Sequence, residues 1–319
     1  MKITVLILSV LMSLCFMLTG CGGGSQAVNA PDENAFANIV DDEGNTVVLR
    51  EKPQRIVVLS ASFLEPLHEV GGDVVGRPDS KTKMPDYAKN AESIGQVYQI
   101  DAEKVVSLKP DLVIANKGMN EKVAKLLNDN SIPTIVMDMK NYDSIKNELR
   151  VFAQVTGEKE KAEAIIADMD NRINVTLSKL PKDNSRQKKV AIIHSTAQGL
   201  SLQLDGSIAG SISKLIGWEN IAGGMTPLDK NPDAAPYSLE TLVQQNPDIV
   251  FITSMGSIES IKKNMDKEMD ANPAWRSVAA VENNLVYYLP QDLFLLSPGI
   301  HYPEAVEYMA KLIYPRSFY

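Results

Sequence analysis

The chain has 319 residues, 44% of them hydrophobic, and its 40 acidic against 32 basic side chains give a formal charge of −8 near pH 7. That balance argues against nucleic acid or an anionic lipid surface as partner, since both need a cationic face. The only cysteines, Cys15 and Cys21, fall in the first residues, so the folded part is left without a thiolate metal site, a thiol nucleophile or a disulfide.

From the start of the chain, Lys2 precedes an apolar stretch, Ile3 to Leu18, too short for a spanning helix and soon followed by small residues. It predicts a signal peptide over residues 1–20. Leu18-Thr19-Gly20-Cys21 matches the bacterial lipobox, in which the thiol is diacylated and cleavage leaves Cys21 first. Two acyl chains suffice for stable anchoring. The Gly22-Gly23-Gly24-Ser25-Gln26 run opens a stretch without periodicity, and residues 21–45 are expected to be a lipidated tether.

Beyond it, Arg55–Ser60, Asp111–Ala115 and Thr134–Asp138 are short, nearly continuous apolar runs among helical patterns. Such runs are strands of a parallel sheet buried on both faces, and they predict an N-terminal α/β lobe over residues 46–157. From Glu158 to Leu180, residues Ala162, Ile165, Ile166, Met169, Ile173, Leu177 and Leu180 recur at helical spacing without Gly or Pro. One long helix, 158–181, is expected to link this lobe to a second. The strand pattern restarts at Lys189–His194, Asp248–Ile252 and Leu285–Leu289, predicting a C-terminal α/β lobe over 182–319. The fold class is α/β, with two Rossmann-like lobes, one joining helix and a ligand cleft between them.

The lobes repeat one unit. Ala102 to Ile114 aligns with Leu239 to Phe251, each copy a short helix followed by Pro-Asp and a strand. Glu103 and Glu240 stand seven residues before their Pro-Asp, just after the expected N-caps Asp101 and Ser238. Helix-dipole stabilisation explains acids in first turns; a matched, exposed pair is also suited to docking on basic pockets.

Val47 to Leu59, Val74-Val75-Gly76 and Leu108 to Val113 come in the order found in binding proteins for ferric siderophores, haem and cobalamin, as do Trp218 to Ala222, Tyr237 to Glu240 and Asn283 to Tyr287. The chain resembles that family over nearly its whole mature length. The resemblance implies a lipid-anchored solute-binding protein on the outer face of the cytoplasmic membrane or in the periplasm. It would deliver its ligand to an ABC permease dimer and its ATPase, with Glu103 and Glu240 engaging the permease. Asn272 to Trp275 and Asp292-Leu293-Phe294 are most similar to Gram-positive haem-binding lipoproteins. In those relatives a methionine and a histidine ligate the iron; the matching positions here are Tyr98 and Met255, a departure that phenolate and thioether chemistry still permits. The cargo is then haem or a ferric siderophore, with cobalamin the alternative and no prosthetic group.

Further ligand-binding candidates are Arg77 and Lys117, each beyond the carboxyl end of a strand where open α/β sheets bind ligands, with Tyr237, His194, His301 and Tyr302. No Gly-rich phosphate loop, Gly-x-Ser-x-Gly elbow or His-Glu-x-x-His motif occurs, so no enzyme activity is expected.

Overall fold

Each half of the chain carries its own β-branched runs, too short for helices and too apolar to lie in water, and each half builds its own sheet. The computed structural model describes residues 32–80, 84–182, 187–196, 199–229, 231–255, 257–295 and 297–319, all within the unit Pro31–Tyr319. The signal segment, Cys21 and the start of the tether lie outside the described residues.

β1 (Ala37–Val40) and β2 (Thr46–Leu49) form an antiparallel ribbon. This corrects the tether expected to reach residue 45. The chain has joined the fold well before that point: Ile39 is fully buried, and the Asp41 carboxylate accepts from the amides of Asn45 (2.8 Å) and Val136 (3.2 Å).

The N-lobe continues with β3 (Ile56–Val58), α1 (Leu64–Glu69), β4 (Val74–Asp79), β5 (Glu92–Gln96), β6 (Gln99–Ile100), α2 (Ala102–Ser107), β7 (Leu112–Asn116), α3 (Glu121–Asp129), β8 (Thr134–Met137) and α4 (Tyr142–Thr156). Its sheet has the order β6-β5-β4-β3-β7-β8, parallel except for β6. Gly157, at φ +77°, ends α4 in the left-handed conformation that glycine adopts without strain. Then α5 (Lys159–Ser178) runs for 20 residues, burying Ala162, Ile166, Met169 and Ile173 against α4 on one side and the C-terminal helix on the other.

The C-lobe comprises β9 (Lys189–Thr196), β10 (Gly199–Gln203), α6 (Ile208–Ile216), β11 (Glu219–Asn220), β12 (Ala234–Pro236), α7 (Leu239–Gln245), β13 (Ile249–Ser254), α8 (Ile258–Ala271), α9 (Ala279–Glu282), β14 (Val286–Tyr288), α10 (Gln291–Phe294) and α11 (Tyr302–Ile313). Here β9, β13 and β14 are parallel, while β10 turns back on β9 and carries β12 at the edge. One buried apolar cluster runs from β3, β7 and β8 through α4 and α5 to β9, β13 and α11. The lobes therefore share a core along the joining helix.

The internal repeat has a physical reason. In each copy the residue before Pro-Asp is left-handed, Lys109 at φ +48° and Asn246 at φ +46°, which stops the helix and aims the chain into the sheet. The aspartate then clamps the start of the neighbouring central strand. Asp111 accepts from the amides of Gln54 (2.7 Å) and Arg55 (2.8 Å), and Asp248 from that of Lys189 (2.8 Å).

Candidate functional site

Parallel strands place their following loops on one edge, and here those edges face each other. From the N-lobe, Glu65 follows β3, and Met139 and Lys140 follow β8; from the C-lobe, Ser297 and His301 follow β14. Ser297 Oγ donates to the Met139 carbonyl (3.1 Å), His301 Nε2 lies 3.0 Å from Glu65 Oε2, and Lys140 pairs with Asp233. The cleft between the carboxyl edges is where open α/β sheets bind ligands. A depression of about 260 Å³ lined by Lys52, Gln54, Gly71 and Asp73 lies instead at the amino-terminal edge of the N-lobe sheet. Its described lining adds Pro53, Gly72 and the buried Ile56, Val155 and Thr156, with no aromatic side chain among them.

Among the described residues, four large apolar side chains are exposed on the carboxyl edges: Tyr98 (70%) and Met119 (40%) from the N-lobe, Met255 (57%) and Ile258 (45%) from the C-lobe. Tyr98 caps the β5–β6 turn, its hydroxyl bonded to Gln96. Met255 directly follows β13, its amide donating to the Ser195 carbonyl (3.2 Å). Sequence reasoning missed Met119 and Ile258; Met119 had a usable signal, being three residues past the end of the β7 strand.

The expected cations are otherwise engaged. Arg77 donates through Nε to the Ala88 carbonyl (3.2 Å) and lies 3.6 Å from Asp79, its side chain 14% exposed. It ties down the loop after β4 instead of opening onto the cleft. Lys117 Nζ donates to the Asp42 carbonyl (2.7 Å), bracing the β1–β2 ribbon against the sheet. The missed Lys140 is held by Asp233, which is itself packed against Gly206 so closely that a Cβ there would meet its Oδ1 at 2.5 Å.

Two tyrosines are corrected outright. Tyr302 is a core residue, 1% exposed, stacked on Tyr142 at 5.1 Å with its hydroxyl 2.7 Å from Ser211 Oγ; burial pushes its phenol up to about 12. Tyr237 stacks on Trp275 at 6.5 Å with its hydroxyl buried in the C-lobe, and burial raises its pKa. His301 is half-buried between Glu65 and Glu304, and these carboxylates raise its pKa to about 9. It is a joint between lobes, with both ring nitrogens occupied. His194 on β9 pairs Nδ1 with Thr253 Oγ1 (2.9 Å), and burial lowers its pKa, favouring the neutral ring.

Asp101 and Ser238 cap α2 and α7, accepting from the amides of Lys104 (3.1 Å) and Thr241 (3.2 Å). A helix that feeds a parallel strand runs antiparallel to it, so these first turns lie toward the strands' carboxyl ends. Glu103 and Glu240, both exposed, thus sit in equivalent places on the two lobes.

A family model described as periplasmic binding protein matches residues 56–293. The Fe(3+)-citrate-binding protein YfmC of Bacillus subtilis (strain 168) is 28% identical over 304 residues, covering 92% of this chain and 91% of its own. Among solved structures, an ABC transporter substrate-binding protein from Listeria monocytogenes EGD-e superimposes with a TM-score of 0.73 at 24% identity, over 83% of this chain and 100% of that one. Staphylococcus aureus IsdE complexed with heme gives 0.72 at 23% identity, over 82% and 98%.

Proposed function

The chain belongs to the periplasmic binding protein family, and from that premise we propose that it captures an iron complex in its interlobe cleft for an ABC importer, with haem the form that suits this cleft best. The observation that carries the choice of haem is the cleft rim. Tyr98, Met119, Met255 and Ile258 present exposed apolar and polarisable surface from both lobes, whereas Arg77, Lys117 and Lys140 are committed to partners within the protein. A flat, largely apolar ring gains from such surfaces, and a small polyanionic chelate needs free cations. The phenolate of Tyr98 and the thioether of Met255 supply one iron-ligating group per lobe. IsdE, whose fold this chain shares, binds heme.

A ferric carboxylate chelate is the second reading. The similarity to YfmC favours it, and the Lys140–Asp233 pair shows that a carboxylate fits against Lys140.

In either case the protein's work is binding and handover. The exposed Glu103 and Glu240, matched by the repeat, would dock the loaded lobes on basic pockets of a permease dimer whose ATPase drives release. Cys21 would carry the lipid anchor outside the membrane, so Cys21→Ala would free the protein into the medium.

An absorbance titration of the soluble protein with ferric haem tests the reading. One saturating equivalent with a Soret shift is expected, and Tyr98→Ala and Met255→Ala should each alter the band and weaken binding by at least about tenfold, the loss of about 1.4 kcal/mol. A featureless haem titration together with saturable binding of ferric citrate would transfer the assignment to the carboxylate chelate. Glu103→Ala with Glu240→Ala should leave the titration unchanged and abolish uptake in cells.

A further inference from the structure

Asn120 is 2% exposed, and its side-chain amide joins two loops that the sheet keeps apart. Its Oδ1 accepts from the Asn116 amide (3.2 Å), closing the turn after β7, and its Nδ2 donates to the Val97 carbonyl (2.7 Å) in the turn between β5 and β6. In the sheet β5 and β7 are separated by β4 and β3, three strand spacings or about 14 Å. No ladder bond can link their loops; they meet by arching over the ends of β3 and β4.

The two loops carry the exposed N-lobe residues. Val97 adjoins Tyr98, and Asn120 adjoins Met119, so the 2.7 Å bond fastens the chain beside one to the chain beside the other. Each loop is also braced locally. The turn after β7 has Gly118 left-handed at φ +83°, its amide donating to Glu121 Oε1 (2.8 Å), and the Asn120 amide donates to the Asn116 carbonyl (3.0 Å). The β5–β6 turn is closed by the pairing of Gln96 with Gln99. A bond between two stiff loops fixes their relative position at the cost of ordering few atoms.

We propose that Asn120 is a positioning residue that locks Tyr98 and Met119 into a single platform forming the N-lobe half of the ligand site. The platform's use in binding rests on the cleft assignment above; the lock itself is a property of the unliganded protein. Its chemistry, one aromatic ring and one thioether held at fixed spacing, suits the face of a flat ring. Preorganisation of this kind lowers the ordering cost of binding.

Asn120→Asp is the informative variant, because a carboxylate keeps the acceptor for the Asn116 amide and loses the donor to the Val97 carbonyl. In the ligand-free protein, chymotrypsin should cleave after Tyr98 at least about fivefold faster in Asn120→Asp than in wild type, with cleavage elsewhere unchanged. Asn120→Ala serves if the buried carboxylate prevents folding. Unchanged cleavage after Tyr98 in whichever variant folds overturns the proposal, whatever the ligand. With haem, Asn120→Asp should weaken binding and broaden the Soret band as Tyr98→Ala does; a variant titrating like wild type while Tyr98→Ala is impaired also overturns it. A wild type that shows no haem shift sinks the haem reading alone and leaves the proteolysis to decide the lock.

Discussion

Glu148 is fully buried on α4, and neither of its carboxyl oxygens has a hydrogen-bond partner among the described residues. Burial, and secondarily the nearby Asp42 carboxylate, raises its pKa well above the ordinary carboxylate value, so folding favours its protonated form relative to the unfolded chain. The folded state then binds the extra proton, and stability falls as pH rises above the ordinary glutamate range. Glu148→Met, close in volume and uncharged, should therefore stabilise the protein by on the order of 1–3 kcal/mol. The gain should be larger at pH 8 than at pH 5, read from urea midpoints at the two values; an equal gain at both would mean that Glu148 is ionised in the fold. Residue identity alone showed none of this, nor the fates of the candidate ligands. Lys117 does follow a strand and His301 does precede the last helix, while Arg77 lies within β4 and not beyond it; the carbonyls and carboxylates that capture Arg77, Lys117 and His301 come from segments 11, 75 and 236 residues away.

At the scale of elements, the Pro-Asp units show why some of the fold was legible. β7, β9 and β13 inside their sheets, and β8, buried although it lies at an edge, carry largely apolar runs because little of either face meets water, so their runs stand out in the sequence. β5, Glu92-Ser93-Ile94-Gly95-Gln96, has one fully buried position, and β11 has two residues. Neither carries a period, since their place is set by neighbours already formed. The repeat was visible because a single geometry, a left-handed stop followed by an aspartate clamp, needs the same residues twice. Asp111→Ala removes the acceptor of two strand-starting amides and should cost about 1–3 kcal/mol in denaturant unfolding. Ligand affinity should be unchanged, because the clamp lies on the sheet edge opposite the cleft. A loss of affinity without loss of stability would contradict that placement.

For the whole molecule the question is what sets the angle between the lobes. α5 and α11 share the continuous core, while two ion pairs, Lys140–Asp233 and Glu65–His301, cross between the lobes among the described residues. The second is part of a chain, because His301 also reaches Glu304 (3.2 Å), which meets Arg172 of α5 at 2.8 Å. His301 has its pKa raised to about 9, chiefly by the bond to Glu65, so its contribution is complete below the unfolded histidine value of about 6.5 and is lost as pH rises through about 9. Glu65, whose pKa is lowered first by His301, contributes above the ordinary carboxylate range and loses that contribution on acidification. The joint is strongest between these limits. Both partners are nearly half exposed, and solvent screening holds the pair to about 1 kcal/mol, some 2 °C in a domain of this size. The melting-temperature difference between wild type and His301→Gln should be greatest near pH 6 and gone by pH 10. The Lys140–Asp233 pair is a second, separate tie between the lobes, so small-angle scattering of His301→Gln should show little opening until Asp233→Asn is added. An unchanged radius of gyration in the double variant would mean that the apolar packing of α5 and α11 alone fixes the angle, and that the ion pairs tune stability without gating the cleft.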